Sequence, residues 1–144
     1  MRDIDQAVEK LKQRYIDAVA SRSANALIQL YDPKARIFDA WGVWEYNGTA
    51  AWQIAVEGWF ASKPTDKLQV NFSECTIVGT LDLATMTAIV TYAGISADSK
   101  ETHSMQNRMT WIFRTVGHNF RIVHEHTSAP IGFEDLKAIL KKRA

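Results

Sequence analysis

Ile4, Val8, Leu11, Tyr15, Ala18 and Val19 recur three and four positions apart, the spacing of one face of a helix, and predict a long amphipathic helix at the N-terminus. Ser23 is suited to cap a second, shorter helix whose stripe is Leu27, Ile28 and Tyr31. Asp32-Pro33 ends it, because proline disfavours helix in the residue before it. A short strand, Ala35 to Asp39, follows. After the aromatic loop Trp41-Gly42-Val43-Trp44-Glu45-Tyr46, the segment Asn47-Gly48-Thr49 offers Thr49 as the cap of a third helix with the stripe Trp52, Val56, Trp59 and Phe60. Ser62-Lys63-Pro64-Thr65-Asp66 breaks that period. β-Branched residues then dominate Leu68 to Val78, Leu83 to Ala97, Thr102 to Val116 and Asn119 to Pro130, with Gly79-Thr80-Leu81-Asp82 and Gly117-His118 as hairpin connections. A last stripe, Phe133, Leu136, Ile139 and Leu140, precedes Lys141, Lys142 and Arg143 and reads as a short helix whose C-terminal charge favours it.

Helices first and a meander of long antiparallel strands afterwards is an α+β order. The N-terminal helices pack on one face of a curved, mainly antiparallel sheet and form a cone that encloses a cavity. Gln106, Arg108, Thr110 and Ile112, which share one face of their strand, read as a cavity wall too polar for ordinary core. No repeat or linker divides the chain, so residues 1–144 are expected to form a single domain.

The 144 residues are 47% apolar, enough for a core without disulfide or metal staples, and 17 basic against 16 acidic residues leave a formal charge of +1. These charges are scattered, so neither nucleic acid nor a membrane surface is an expected partner. No run approaches the roughly 20 apolar residues that cross a bilayer. Cys75 stands alone, which excludes an internal disulfide and a cysteine zinc site and is compatible with a reducing compartment, so a cytoplasmic location is expected. Cys75 has no base beside it in sequence and reads as an inert strand residue.

The chemistry concentrates in the last strand, Phe120-Arg121-Ile122-Val123-His124-Glu125-His126-Thr127-Ser128-Ala129-Pro130. Strand alternation sends Phe120, Ile122, His124, His126 and Ser128 to one face and Arg121, Val123, Glu125 and Thr127 to the other, so either face carries polar groups. His124 and His126 share a face and so have the spacing of two metal ligands. A third ligand is wanting beyond the distant His103 and Glu74, so no metal and no cofactor are expected. An interior Glu125 needs neutralising, and Arg108 or Arg121 on neighbouring strands are the candidates. Trp52 and Trp59 fit a core, whereas Trp41 and Trp44, in a glycine-containing loop, fit a pocket lid or a dimer contact.

Two stretches carry a resemblance. Tyr31-Asp32-Pro33-Lys34-Ala35-Arg36-Ile37-Phe38-Asp39 resembles the helix-to-strand passage of the nuclear-transport-factor-2-like superfamily, in its SnoaL-like and ketosteroid-isomerase-like group. Arg108-Met109-Thr110-Trp111 together with the last strand is similar to the corresponding strands of SnoaL-like domains and of the association domain of calcium/calmodulin-dependent kinase II. The order of elements agrees over nearly the whole chain. The resemblance implies that Asp39 stands where the isomerases hold the carboxylate that moves a proton beside a carbonyl, and that Tyr15 matches their oxyanion-binding tyrosine. It also implies a second, protonated acid on a later strand, and no Asp or Glu occurs from Met105 to Val116.

The reading is a small-molecule-binding SnoaL-like domain. Asp39 and Tyr15 are its candidate catalytic residues. Tyr31, Trp41, Trp52, Arg108, His124, Glu125 and His126 are its candidate ligand contacts. A cofactor-independent isomerase, dehydratase or cyclase acting on an apolar carbonyl compound is one expectation, and a non-catalytic binding or oligomerisation module is the alternative. A homodimer is expected, because a long open sheet leaves a face to cover.

Overall fold

The computed structural model describes residues 2–62 and 65–142. The elements run α1 (Asp3–Ala20), α2 (Ala24–Ile28), β1 (Tyr31–Phe38), β2 (Tyr46–Asn47), α3 (Thr49–Ala61), β3 (Lys67–Gly79), β4 (Ala84–Ile95), β5 (Glu101–Val116) and β6 (Asn119–Ser128). They form one six-stranded sheet in the order β2-β1-β6-β5-β4-β3, antiparallel except where β1 runs parallel to β6. The sheet is curved and unclosed, and the helices cover its inner face. The chain is thus the expected α+β cone.

The N-terminal stripe buries as its spacing predicts, with Ile4, Val8, Leu11, Tyr15, Ala18 and Val19 all inside. Ser23 caps α2 by accepting from the Ala26 amide at 3.1 Å. That helix ends at Ile28, however, and Tyr31 is the first residue of β1 rather than the last of a helical stripe. Sheet pairing of Tyr31 opposite Ile122 outweighs the local helical pattern, and the register shift between Tyr31 and Arg36 accommodates Pro33 within the strand. The third helix is capped by Gly48 rather than Thr49, because the chain turns into it at φ 89°, a conformation open to glycine.

The C-terminal segment is not the expected helix. Ile131 pairs with Ala138 as an isolated bridge, Leu136 sits at φ 59°, and the Gln106 amide donates to the Leu140 carbonyl at 2.6 Å. The segment thereby satisfies backbone of β5 beyond the end of β6, and Phe133 stays 97% exposed, so its helical stripe has nothing to bury against. Arg143 lies outside the described residues.

Two bulges decide which side chains face inward. In β3 the register gains a residue between Ser73 and Thr76, so Phe72 and Ile77, five positions apart, both pack against the core. In β6 the partners step from Phe113↔Ile122 to Ile112↔His124, leaving Val123 as the extra residue. Strict alternation therefore fails there. Ile122, Glu125 and Thr127 are all buried on the inner side, while His124, His126 and Ser128 share the outer side.

Candidate functional site

A cavity of about 480 Å³ opens between α1, α3 and the inner face of the sheet. Its walls are mainly aromatic and apolar: Tyr15 and Val19 from α1, Trp52, Val56 and Trp59 from α3, and Tyr92 from β4. Trp41 reaches it from the loop after β1, and Leu140 from the C-terminal segment.

Two carboxyl groups share this cavity. Glu125 is 1% exposed, and its Oε1 accepts both the Tyr31 hydroxyl at 2.5 Å and the Trp111 indole N–H at 2.7 Å. None of the described hydrogen bonds reaches its Oε2. Burial raises its pKa to about 7, the two donors pull it down, and the Asp39 charge adds to the rise. Neither Arg108 nor Arg121 neutralises it. Arg108 is exposed on the outer face and donates to Ser128 Oγ at 3.1 Å, and Arg121 donates to the Tyr31 carbonyl at 3.4 Å. Protonation, not an ion pair, is how this carboxyl avoids a buried charge.

Asp39 stands where β1 ends, beside Thr127 of β6. Thr127 Oγ1 donates to its Oδ1 at 3.0 Å and receives the Ala40 amide at 2.9 Å, while the Trp41 amide approaches Oδ2 at 3.3 Å. Burial raises the Asp39 pKa above the ordinary value against these donors. The third polar feature is a pair of phenols: the Tyr15 and Tyr92 hydroxyls lie 3.0 Å apart, and burial pushes both well above the ordinary tyrosine value. Tyr15 is fixed by edge-on packing against Trp111 at 5.4 Å and Phe72 at 5.8 Å.

Of the candidate residues, Tyr15, Asp39, Trp41, Trp52 and Glu125 line one cavity, and Tyr31 backs it through Glu125. Arg108, His124 and His126 do not join them. Gln106, Arg108, Thr110 and Ile112 face outward, because the inward positions of β5 are Asn107, Met109, Trp111 and Phe113. His124 Nδ1 contacts the Arg36 carbonyl at 2.6 Å, and both histidines stand edge-on to Phe38, at 5.0 and 5.5 Å. His103 sits in the cavity wall and Glu74 pairs with Lys142, so neither joins His124 and His126. Among the described residues, no three metal-ligating side chains are grouped. Sequence reasoning missed Tyr92, Asn107 and Thr127 as cavity residues. Only the register that pairs Val90 with Asn107 brings Tyr92 and Asn107 to one wall.

A curved, unclosed α+β sheet covered by N-terminal helices, with a mainly apolar cavity that holds one buried and one half-buried carboxyl, defines a recognisable class of folds. Within it, this chain belongs to the SnoaL-like domain family, whose model matches residues 8–132. It is similar to an NTF2-like protein of unknown function from Pseudomonas putida KT2440, with a TM-score of 0.84, 24% identity and coverage of 95% and 94% of the two chains. It is also similar to Aln2 from a Streptomyces species, with a TM-score of 0.79, 9% identity and coverage of 89% and 91%. A third similar structure, from Xanthomonas campestris, is described by likeness as a calcium/calmodulin-dependent kinase II association domain. Its TM-score is 0.72, with 18% identity and 85% of each chain covered. At such identities these structures speak for the fold alone. No curated protein matches the chain. No helix among the described residues is long and apolar enough to cross a membrane.

Proposed function

We propose that this domain binds a small, largely apolar carbonyl compound in its cavity and moves a proton beside that carbonyl without a cofactor, as an isomerase, dehydratase or cyclase would. The observation that carries the reading is the pairing of an aromatic-walled cavity with two carboxyl groups whose pKa values burial raises, Asp39 and Glu125. Asp39 is the general base: its raised pKa strengthens it as a proton acceptor, and Thr127 orients it. The Tyr15–Tyr92 pair carries one hydroxyl proton more than its mutual bond uses, and that proton meets the developing oxyanion. Glu125, protonated below about pH 7, supplies the second acid that no residue from Met105 to Val116 provides.

A thermal-shift screen against steroids, polyketide-like aromatics and ring ketones finds the ligand, because a compound that binds the folded state alone must raise its melting temperature. Each hit is then incubated in heavy water and its α-protons followed by NMR. Asp39→Asn abolishes the exchange and leaves melting nearly unchanged. Exchange that stays at background for every bound ketone refutes catalysis.

A second reading, assembly through the outer sheet face, rests on one cluster. Phe38 lies between the Arg36 guanidinium, 4.7 Å above its ring, and the edges of His124 and His126, all on the solvent side. A homodimer that pairs these faces would bury the ring, and light scattering on the purified protein reads the mass directly.

A further inference from the structure

Two buried polar atoms of cavity-lining residues are left without a hydrogen-bond partner among the described residues, the donor Trp52 Nε1 and the acceptor Asn107 Oδ1. Asn107 is 6% exposed, it lines the cavity, and its Oδ1 makes no hydrogen bond among the described residues. Its side chain adjoins Tyr92 and draws that phenol's pKa down against the burial that raises it. A buried acceptor without a donor is costly, and such groups persist where something outside the chain supplies the missing proton.

The surroundings narrow what that something is. Asn107 pairs with Val90, so Tyr92 is its diagonal neighbour on the same face, and the spare phenol proton of the Tyr15–Tyr92 pair lies close to the unfilled acceptor. A ligand that satisfies both carries a carbonyl oxygen and a hydrogen-bond donor side by side. Charge narrows it further. No Lys or Arg occurs among the described lining residues, where His103 is the one basic side chain, and Asp39 and Glu125 occupy the same walls, so an anion would enter beside two carboxyls with no permanent counter-charge.

Resting on the cavity reading above, we propose that Asn107 is a specificity-determining residue that selects neutral hydroxy-carbonyl compounds. Its Oδ1 accepts the ligand's hydroxyl proton while the adjacent carbonyl oxygen takes the spare proton of the Tyr15–Tyr92 pair. Asn107 takes no part in the proton transfer.

The test uses matched probes and the full chain. Benzoin carries both groups, deoxybenzoin only the ketone, benzoin methyl ether the ketone with its donor capped, and diphenylacetate a carboxylate on the same carbon count. Affinities are read from the quenching of cavity tryptophan fluorescence. Benzoin is expected to bind at least about tenfold tighter than deoxybenzoin or the methyl ether, the scale of one hydrogen bond to an otherwise unsatisfied buried group. Diphenylacetate is expected to bind weakest. Asn107→Leu, close in size, is expected to bring benzoin and deoxybenzoin within about twofold of each other without weakening deoxybenzoin. Should that variant fail to fold, the comparison of the four probes on the native chain still decides. Equal binding of the three neutral probes overturns the inference and leaves the cavity reading standing, as does a tenfold preference that survives Asn107→Leu. Tightest binding by diphenylacetate overturns it too, and the absence of binding by all four probes overturns both.

Discussion

Replacing Glu125 by Gln isolates the effect of one buried proton on folding. In the unfolded chain this carboxyl titrates near 4.5, and in the folded chain near 7, because burial and the Asp39 charge outweigh the hydrogen bonds from Tyr31 and Trp111. Between those two values the folded state binds more protons than the unfolded state, so stability must fall as pH rises through the window. Below it both states are protonated and the favourable difference is complete; above it both are ionised and the difference is gone. At about 1.4 kcal/mol per tenfold change in proton affinity, the full swing is about 3 kcal/mol, a large part of the stability of a domain this size.

Gln keeps the shape and the Oε1 acceptor for both donors but cannot ionise. Urea unfolding followed by circular dichroism from about pH 5 to about pH 8.5 should therefore give a falling curve for the native chain and, relative to it, a flatter one for Glu125→Gln. The two curves should separate by roughly 3 kcal/mol across the range, with the variant the more stable at the alkaline end. Using the difference between curves cancels the titration of groups that do not interact with Glu125; Asp39, whose raised pKa acts in the same direction, is coupled to it and stays part of the measured difference. Parallel curves, to within about 0.5 kcal/mol, would mean that the folded carboxyl titrates like an exposed one, and the account of a protonated Glu125 in the cavity would fall.

Other perturbations test separate parts of the structure. Thr127→Val removes the donor that holds the Asp39 pKa down, so the acid limb of any Asp39-dependent rate profile should move to higher pH; an unmoved limb would mean that Thr127 does not tune that carboxylate. Arg22 ties the end of α1 to the passage from α3 to β3, donating to the carbonyls of Phe60 at 2.5 Å and Ser62 at 3.3 Å and to that of Asp66. Arg22→Ala should cost about 1–3 kcal/mol in urea unfolding. Arg22→Gly should recover part of this loss, up to about 1 kcal/mol, since the native φ of 54° is free of strain only for glycine; equal losses would locate the effect in the side chain alone. If the outer face pairs two copies, Phe38→Asp should convert the scattering mass from dimer to monomer without lowering ligand affinity.

The long elements were legible because each repeats its period over many residues: the stripe of α1 and the alternation of β4 needed no tertiary information. What was misread lies where one residue shifts the phase. From a strictly alternating strand, Ile122 and Glu125 belong to opposite faces, and nothing in Val123 announces a bulge. Once the extra residue is inserted, the apolar start of β6 and its acidic end both turn inward, and the histidines turn out. In β5 the alternation is regular and only the choice of face went wrong: Asn107, Met109, Trp111 and Phe113 turn inward and Arg108 outward, which leaves Glu125 without the arginine partner expected for it. Tyr31 failed for a related reason, since pairing with β6 involves residues some ninety positions away and no helical window contains them. The bulge therefore does more than bend the sheet. With strict alternation continued from Ile122, the cavity would be walled by His124 and His126 and would suit a metal or an anion; with the bulge it holds two carboxyls and two phenols, which suits a neutral ligand and proton transfer. A deletion of Val123 should consequently remove the bulge without exchanging the faces: Ile122, Glu125 and Thr127 then share the inner side by plain alternation, so the cavity should keep its two carboxyls while the bend of the sheet and the stability change.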